Sequence, residues 1–155
     1  MADSKNYIDN IEFYNEIVEY QKDLAVSEKL GIKIRVPEKL GTMISLLCEK
    51  NTHIDSYRNY PREDKEDMRT DASIACIKAL KGFDTTRNNP FAYFTRIVHN
   101  AFTYYLKQKY KNDNFKLELI ESEYIKANKP FNNEIKKDMI ESKKRKSKKH
   151  QEVTL

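Results

Sequence analysis

Glycine and proline are scarce in this chain, three and four residues respectively among 155. A β sandwich or barrel needs turn residues roughly every 8–12 positions, so this scarcity excludes a turn-rich β architecture. Cysteine occurs twice, as Cys48 and Cys76, without CxxC spacing and without a neighbouring histidine to complete a zinc set. On separate predicted helices in a reducing compartment, both read as small buried apolar residues. His53, His99 and His150 are scattered, which suits structural or solvent-facing roles rather than metal ligation. No run approaches the ~18 apolar residues of a membrane span. The opening MADSKNYIDN has neither the basic nor the apolar region of a signal peptide. Neither a Gly-rich phosphate loop nor a nucleophile elbow occurs. The expectations are a cytoplasmic, non-enzymatic chain with no cofactor, no metal and no membrane partner.

What the chain does contain is charge, 34% of residues, and 39% apolar residues, a balance that supports a modest core on amphipathic elements. Lys, Glu, Ile, Leu and Ala dominate its middle, and these are helix formers. The predicted fold class is therefore all-α: a compact helical domain of about four main helices, a weak C-terminal helix and a disordered basic tail.

Apolar spacing places the elements. Ile8, Ile11, Tyr14, Ile17, Val18, Leu24 and Ala25 recur at three- and four-residue steps, predicting a helix from about Asn6 to Leu30 that Gly31 stops. A second helix starts near Pro37, sets Leu40, Ile44, Leu47 and Cys48 on one face, and fades near Asn51. His53 to Tyr60 reads as a loop. Pro61 opens a third helix with Met68, Ala72, Ala75, Cys76, Ala79 and Leu80 inside, ended by Gly82. Asn89-Pro90 is a start signal, with Asn as N-cap and Pro at the first helical position. The fourth helix runs to about Lys111 on a stripe of Phe91, Phe94, Val98, Ala101, Phe102, Tyr105 and Leu106. A weaker helix follows from Phe115 to Ala127, broken by Lys129-Pro130. The chain divides into an N-terminal helix (1–36), a helical core (37–112), a weakly helical extension (113–141) and a basic disordered tail (142–155).

Charge is segregated along the chain. The net +5 resides in the tail, where Lys143, Lys144, Arg145, Lys146, Lys148 and Lys149 outweigh Glu152, and the rest is neutral. Such a tail gives sequence-independent attraction to DNA or RNA, or is a solvated segment with no specific task. No acidic residue falls between Asp84 and Asp113, a window that holds Arg87, Arg96, Lys107, Lys109, Lys111 and seven aromatics. A helix that buries Phe91, Phe94 and Val98 leaves Tyr93, Arg96, Asn100, Thr103 and Lys107 on another face. Cations there neutralise phosphates, and aromatic rings stack on unpaired bases at roughly 1–3 kcal/mol each. The plainer reading is a core helix with a basic solvent face. The third helix begins with Glu63, Asp64, Glu66, Asp67 and Asp71. These acids bind a basic partner, or they only complement the positive end of the helix dipole. A carboxylate metal site needs ligands from several elements, and here the acids bunch on one helix.

The run DMRTDASIACIKALKGFDTTRNNPFAYFTRIVHNAF resembles region 2 of bacterial sigma factors, and most of all the small late-gene sigma factors of large tailed phages. The matching pieces are Asp67-Met68 and Asp71, then Gly82-Phe83-Asp84, then Asn89-Pro90-Phe91-Ala92-Tyr93. The first helix's F-Y-x-x-I-x-x-Y and the preceding N-Y-I-D-N are also similar, so the likeness spans residues 6–111. Where primary sigma factors carry a Trp pair in the melting helix, this chain has Ile97 and Val98.

The resemblance implies a transcription initiation factor that binds RNA polymerase core and directs it to an A/T-rich −10-like element, aiding promoter melting. Asp67, Thr70, Asp71, Ser73, Ile74 and Ile77 would then dock on the coiled coil of the polymerase largest subunit. Arg87, Phe91, Tyr93, Phe94, Arg96, Asn100 and Lys107 would meet promoter DNA. In that phage family a sliding clamp or co-activator is a further partner, and here Val153 and Leu155 are the terminal apolar residues available to a clamp. The alternative is a basic-tailed helical nucleic-acid-binding module with no polymerase partner.

Overall fold

The computed structural model describes residues 7–141, and the basic tail lies outside them. The fold is all-α, with no strand among the described residues. Four helices carry it: α1 (Asn10–Leu30), α2 (Glu38–Thr52), α3 (Arg62–Ala79, tightening into a 3-10 turn at Leu80–Gly82) and α4 (Pro90–Lys126). A short α5 follows at 133–141. No helix among the described residues is long and apolar enough to cross a membrane.

Caps set the boundaries. Asp9 Oδ1 accepts from the backbone N–H groups of Ile11 (2.9 Å) and Glu12 (3.0 Å), so α1 starts four residues later than its spacing predicts. Gly31 ends α1 in the left-handed region, φ 68°, where a side chain would be strained. The α4 start is as expected: Asn89 Oδ1 accepts from Ala92 N–H at 3.1 Å and Pro90 is the first helical residue. Pro37 and Pro61 instead occupy the N-cap positions of α2 and α3.

The predicted stripes of α2, α3 and α4 face the core, with Ala79, Phe91, Ala101, Tyr105 and Leu106 only partly buried against it. Leu40, Ile44, Leu47 and Cys48 of α2, and Met68, Ala72, Cys76 and Leu80 of α3, meet Phe94, Val98 and Phe102 of α4 in one core. Buried this way, the Cys76 thiol is pushed up by its hydrogen bond to Cys48 and by desolvation, which makes it a poor nucleophile. The α1 stripe differs from expectation. Phe13, Ile17 and Tyr20 are buried, whereas Ile11 is 75% exposed. Apolar residues lie on several sides of α1, so spacing alone allowed the wrong face. Tyr57, in the segment read as a plain loop, also enters the core, its ring 4.9 Å from Phe102.

The largest difference is α4. The predicted break near Asn112 is absent, and one helix of 37 residues runs from Pro90 to Lys126. Extending an existing helix avoids the cost of a new nucleus, and this outweighs the weak propensity of Asn112, Asp113 and Asn114. α1 shares the core with α2–α4, and residue 112 lies mid-helix.

Candidate functional site on the exposed faces of α3 and α4

α3 and α4 pack antiparallel, tied at both ends. At one end Phe83, just after α3, lies 5.2 Å from the Tyr93 ring and 5.8 Å from that of Phe94. At the other end Asp64, 7% exposed, accepts from Tyr105 Oη at 2.9 Å and pairs with Lys109 Nζ. Tyr105 Oη also lies 3.3 Å from Asp67 Oδ2. Burial first, then the two carboxylates, push the Tyr105 phenol well above its usual range. A carboxylate this deep needs such partners. The acid cluster is thus divided: Asp64 joins the two helices, and Glu66 pairs with Arg62 at 2.8 Å one turn away. Asp67 and Asp71 face solvent.

The exposed face of α3 carries Asp67, Thr70, Asp71, Ile74 and Ile77, spaced at i, i+3, i+4, i+7 and i+10 on one side. Ile74 and Ile77 are 48% and 42% exposed, an apolar strip bordered by acids. Such a face suits a protein groove with apolar pockets and a basic rim. Thr70 Oγ1 donates to the Glu66 carbonyl at 2.9 Å, which keeps its hydroxyl on the helix. Ser73 departs from the expected set. It is half-buried, donates to the Arg69 carbonyl at 2.8 Å and lies beside the Cys48 thiol of α2, turned away from the exposed face.

On α4, Arg96, Asn100 and Lys107 are exposed on one side. Arg87 is exposed in the turn before α4, 3.9 Å from Asp84. Asp84 is held below the usual carboxylate range chiefly by hydrogen bonds from Thr86, with the Arg87 charge contributing less. The aromatic members sort differently. Phe94 is fully buried, its ring 5.4 Å from that of Phe13, and presents no surface to a base. This corrects its assignment to the DNA face: position 94 belongs to the core stripe. Phe91 is half-buried against the Tyr7 ring at 5.6 Å, and its N–H donates to Asn10 Oδ1. Tyr93 is half-buried between Phe83 and Phe94. The exposed aromatics on this side are Tyr104, 65% exposed between Asn100 and Lys107, and Tyr110, 71% exposed one turn beyond Lys107. The signal for Tyr104 was in the sequence: Asn100 and Tyr104 are one turn apart, on the side opposite Phe94–Val98.

Among the described residues no group of three or more His, Cys, Asp or Glu side chains is placed to hold a metal ion. His99 has a structural setting, with Nδ1 3.2 Å from Tyr57 Oη. No family model matches this chain, and a search of curated proteins likewise finds no match.

Proposed function

We propose that this chain is a sigma-type transcription initiation factor that binds RNA polymerase core through α3 and a −10-like promoter element through α4. The observation that carries this reading is the pairing of two chemically opposite faces on adjacent antiparallel helices. One is the acid-bordered isoleucine strip of α3, the other the acid-free face of Arg96, Asn100, Tyr104 and Lys107. The first suits a basic, grooved protein surface, and the second suits phosphates and an unpaired base. The order of motifs along residues 6–111 resembles sigma region 2, which supports the same assignment of roles. In this reading Tyr104, rather than Phe94, offers an accessible ring.

The test is co-purification with bacterial core polymerase at low salt, followed by initiation on supercoiled or pre-melted A/T-rich templates. Asp71→Lys with Ile74→Glu should abolish the association while leaving helix content unchanged, because neither residue is in the core. Asp67 is a poorer choice, since Tyr105 bonds to it. A chain that does not associate with core polymerase removes this reading. The six cations between Lys143 and Lys149 favour one alternative, a nucleic-acid-binding module without a polymerase partner. That module would lose most of its salt-sensitive affinity when 143–149 are deleted, whereas the sigma reading places selectivity on α4.

A further inference from the structure

We infer that the exposed isoleucine face of α3 is a docking surface for the chain's own C-terminal segment, residues 143–155. The docking does not depend on the proposed function; its meaning as a block on the polymerase-binding face rests on that reading. The face has two parts in order along the helix. From Arg62 to Asp71 it exposes Glu63, Glu66, Asp67 and Asp71, and its one exposed cation, Arg62, is committed to Glu66. The half-buried cations of this stretch lie to one side: Arg69 is toward the α2 Cys48 thiol, and Lys65, one turn before it, shares that side. The second part exposes Ile74 and Ile77, and Lys78 follows them.

The C-terminal segment has the matching order. Six cations between Lys143 and Lys149 come first, and Val153 and Leu155 follow, with Glu152 as its one acid. Cations laid over the acids bring the apolar pair toward the isoleucines. The acids of the second half of α4 suit these cations less, because Asp113, Glu118, Glu121 and Glu123 are interspersed with Lys111, Lys116 and Lys126. Direction and reach also fit. Lys109 pairs with Asp64, so the first turn of α3 lies where α4 leaves the core. After α4 the chain reverses: Asn128 has φ 54°, Lys129 N–H donates to the Tyr124 carbonyl at 2.9 Å, and the Phe131 ring lies 5.2 Å from that of Tyr124. Phe131, Ile135 and Met139 are half-buried at four-residue steps, as Leu117, Ile120 and Tyr124 are on α4. Such stripes set α5 antiparallel to α4, which carries the chain about 13 Å back toward α3 over 133–141. From there the seven residues 143–149 reach roughly 23 Å at ~3.3 Å each, against ~12 Å from Glu63 to Asp71 at ~1.5 Å per residue.

Paramagnetic relaxation in the full chain tests this without any polymerase. A nitroxide attached through Ser147→Cys, with Cys48 and Cys76 shielded by full burial, should broaden the backbone signals of Glu63, Asp67 and Thr70 at low salt. Most of the lost intensity should return at ~1 M salt, where the Debye length is ~3 Å. Glu63→Lys with Asp71→Lys should restore it as well. With the nitroxide at Thr154→Cys instead, Ile74 and Ile77 should broaden, and Val153→Asp with Leu155→Asp should reverse that. Broadening confined to other helices, or none, overturns the inference, as does broadening that the charge reversals leave intact. So does broadening of an isotope-enriched, unlabelled chain by an unenriched, spin-labelled one, which would place the contact between copies. If the expected broadening is found and core polymerase does not associate, the docking stands and the proposed function falls.

Discussion

The two halves of α4 are one continuous helix held by different forces. From Pro90 to Lys109 the helix is acid-free and presses Phe94, Val98 and Phe102 fully into the core. From Tyr110 to Lys126 it has four acids, and none of its residues is fully buried. The first half is stabilised by tertiary burial, as most protein helices are. The second depends on helix continuity and on a small cluster around Tyr124 and Phe131. One side of the first half is set by what it packs against, and its opposite side is exposed to solvent. The second half is a projecting arm whose chemistry is mostly surface.

Truncation of core and arm rings should separate the halves most widely. Phe94→Ala should cost about 3–5 kcal/mol of unfolding free energy, read by urea titration followed by circular dichroism. Phe115→Ala should stay within about 0.5 kcal/mol. Comparable losses from the two would remove the distinction. Next in size is the tie that ends the first half. Asp64→Ala leaves Tyr105 and Lys109 without their shared acceptor and should cost about 2–3 kcal/mol, less than a fully buried pair because Lys109 is partly solvated. A thermal melt would measure it.

A pH titration examines the same tie. The folded state holds the Tyr105 proton more tightly than the unfolded chain, whose phenol has the ordinary value of 10.0. The unfolded state therefore releases this proton first as pH rises. The contribution is fully present below about pH 10 and is lost progressively above it. Tyr105→Phe should flatten that alkaline loss relative to the unaltered chain, and identical slopes would place the loss elsewhere. The smallest effect on the body is expected from Asn114→Pro, which interrupts α4 within the arm. Helical signal from about a turn or more should disappear, while the cooperative unfolding free energy of the body changes by less than about 1 kcal/mol. A larger change would mean that arm and body fold as one unit.

Much of this architecture was legible in the residues. The buried positions of α2, α3 and the first half of α4 recur at helical spacing, which made their core faces legible although α3 also offers Ile74 and Ile77. Asn89-Pro90 and Gly31 mark ends because their backbone chemistry does so locally. The acid-free window and the acidic start of α3 are also local facts of composition, and they delimit both candidate faces. α1 was less legible, because Ile11 and Val26 offer apolar surface outside the stripe that is buried.

Tertiary structure decided the remainder, because burial and pairing across helices depend on residues far apart in the chain. Within the acid cluster, Asp64 differs from Asp71 only because Tyr105 and Lys109, some forty residues later, lie over it. Phe94 and Tyr104 are both aromatic residues of one basic helix; helical spacing already sets Phe94 on the core stripe, and the packing of Phe13 and Phe83 closes it off while Tyr104 stays exposed. The sequence by itself determined the all-α class, the main helical stripes and the segregation of charge. Which acids of α3 remain on the surface, and how far each ring of α4 is covered, followed only from the packing of the helices against one another.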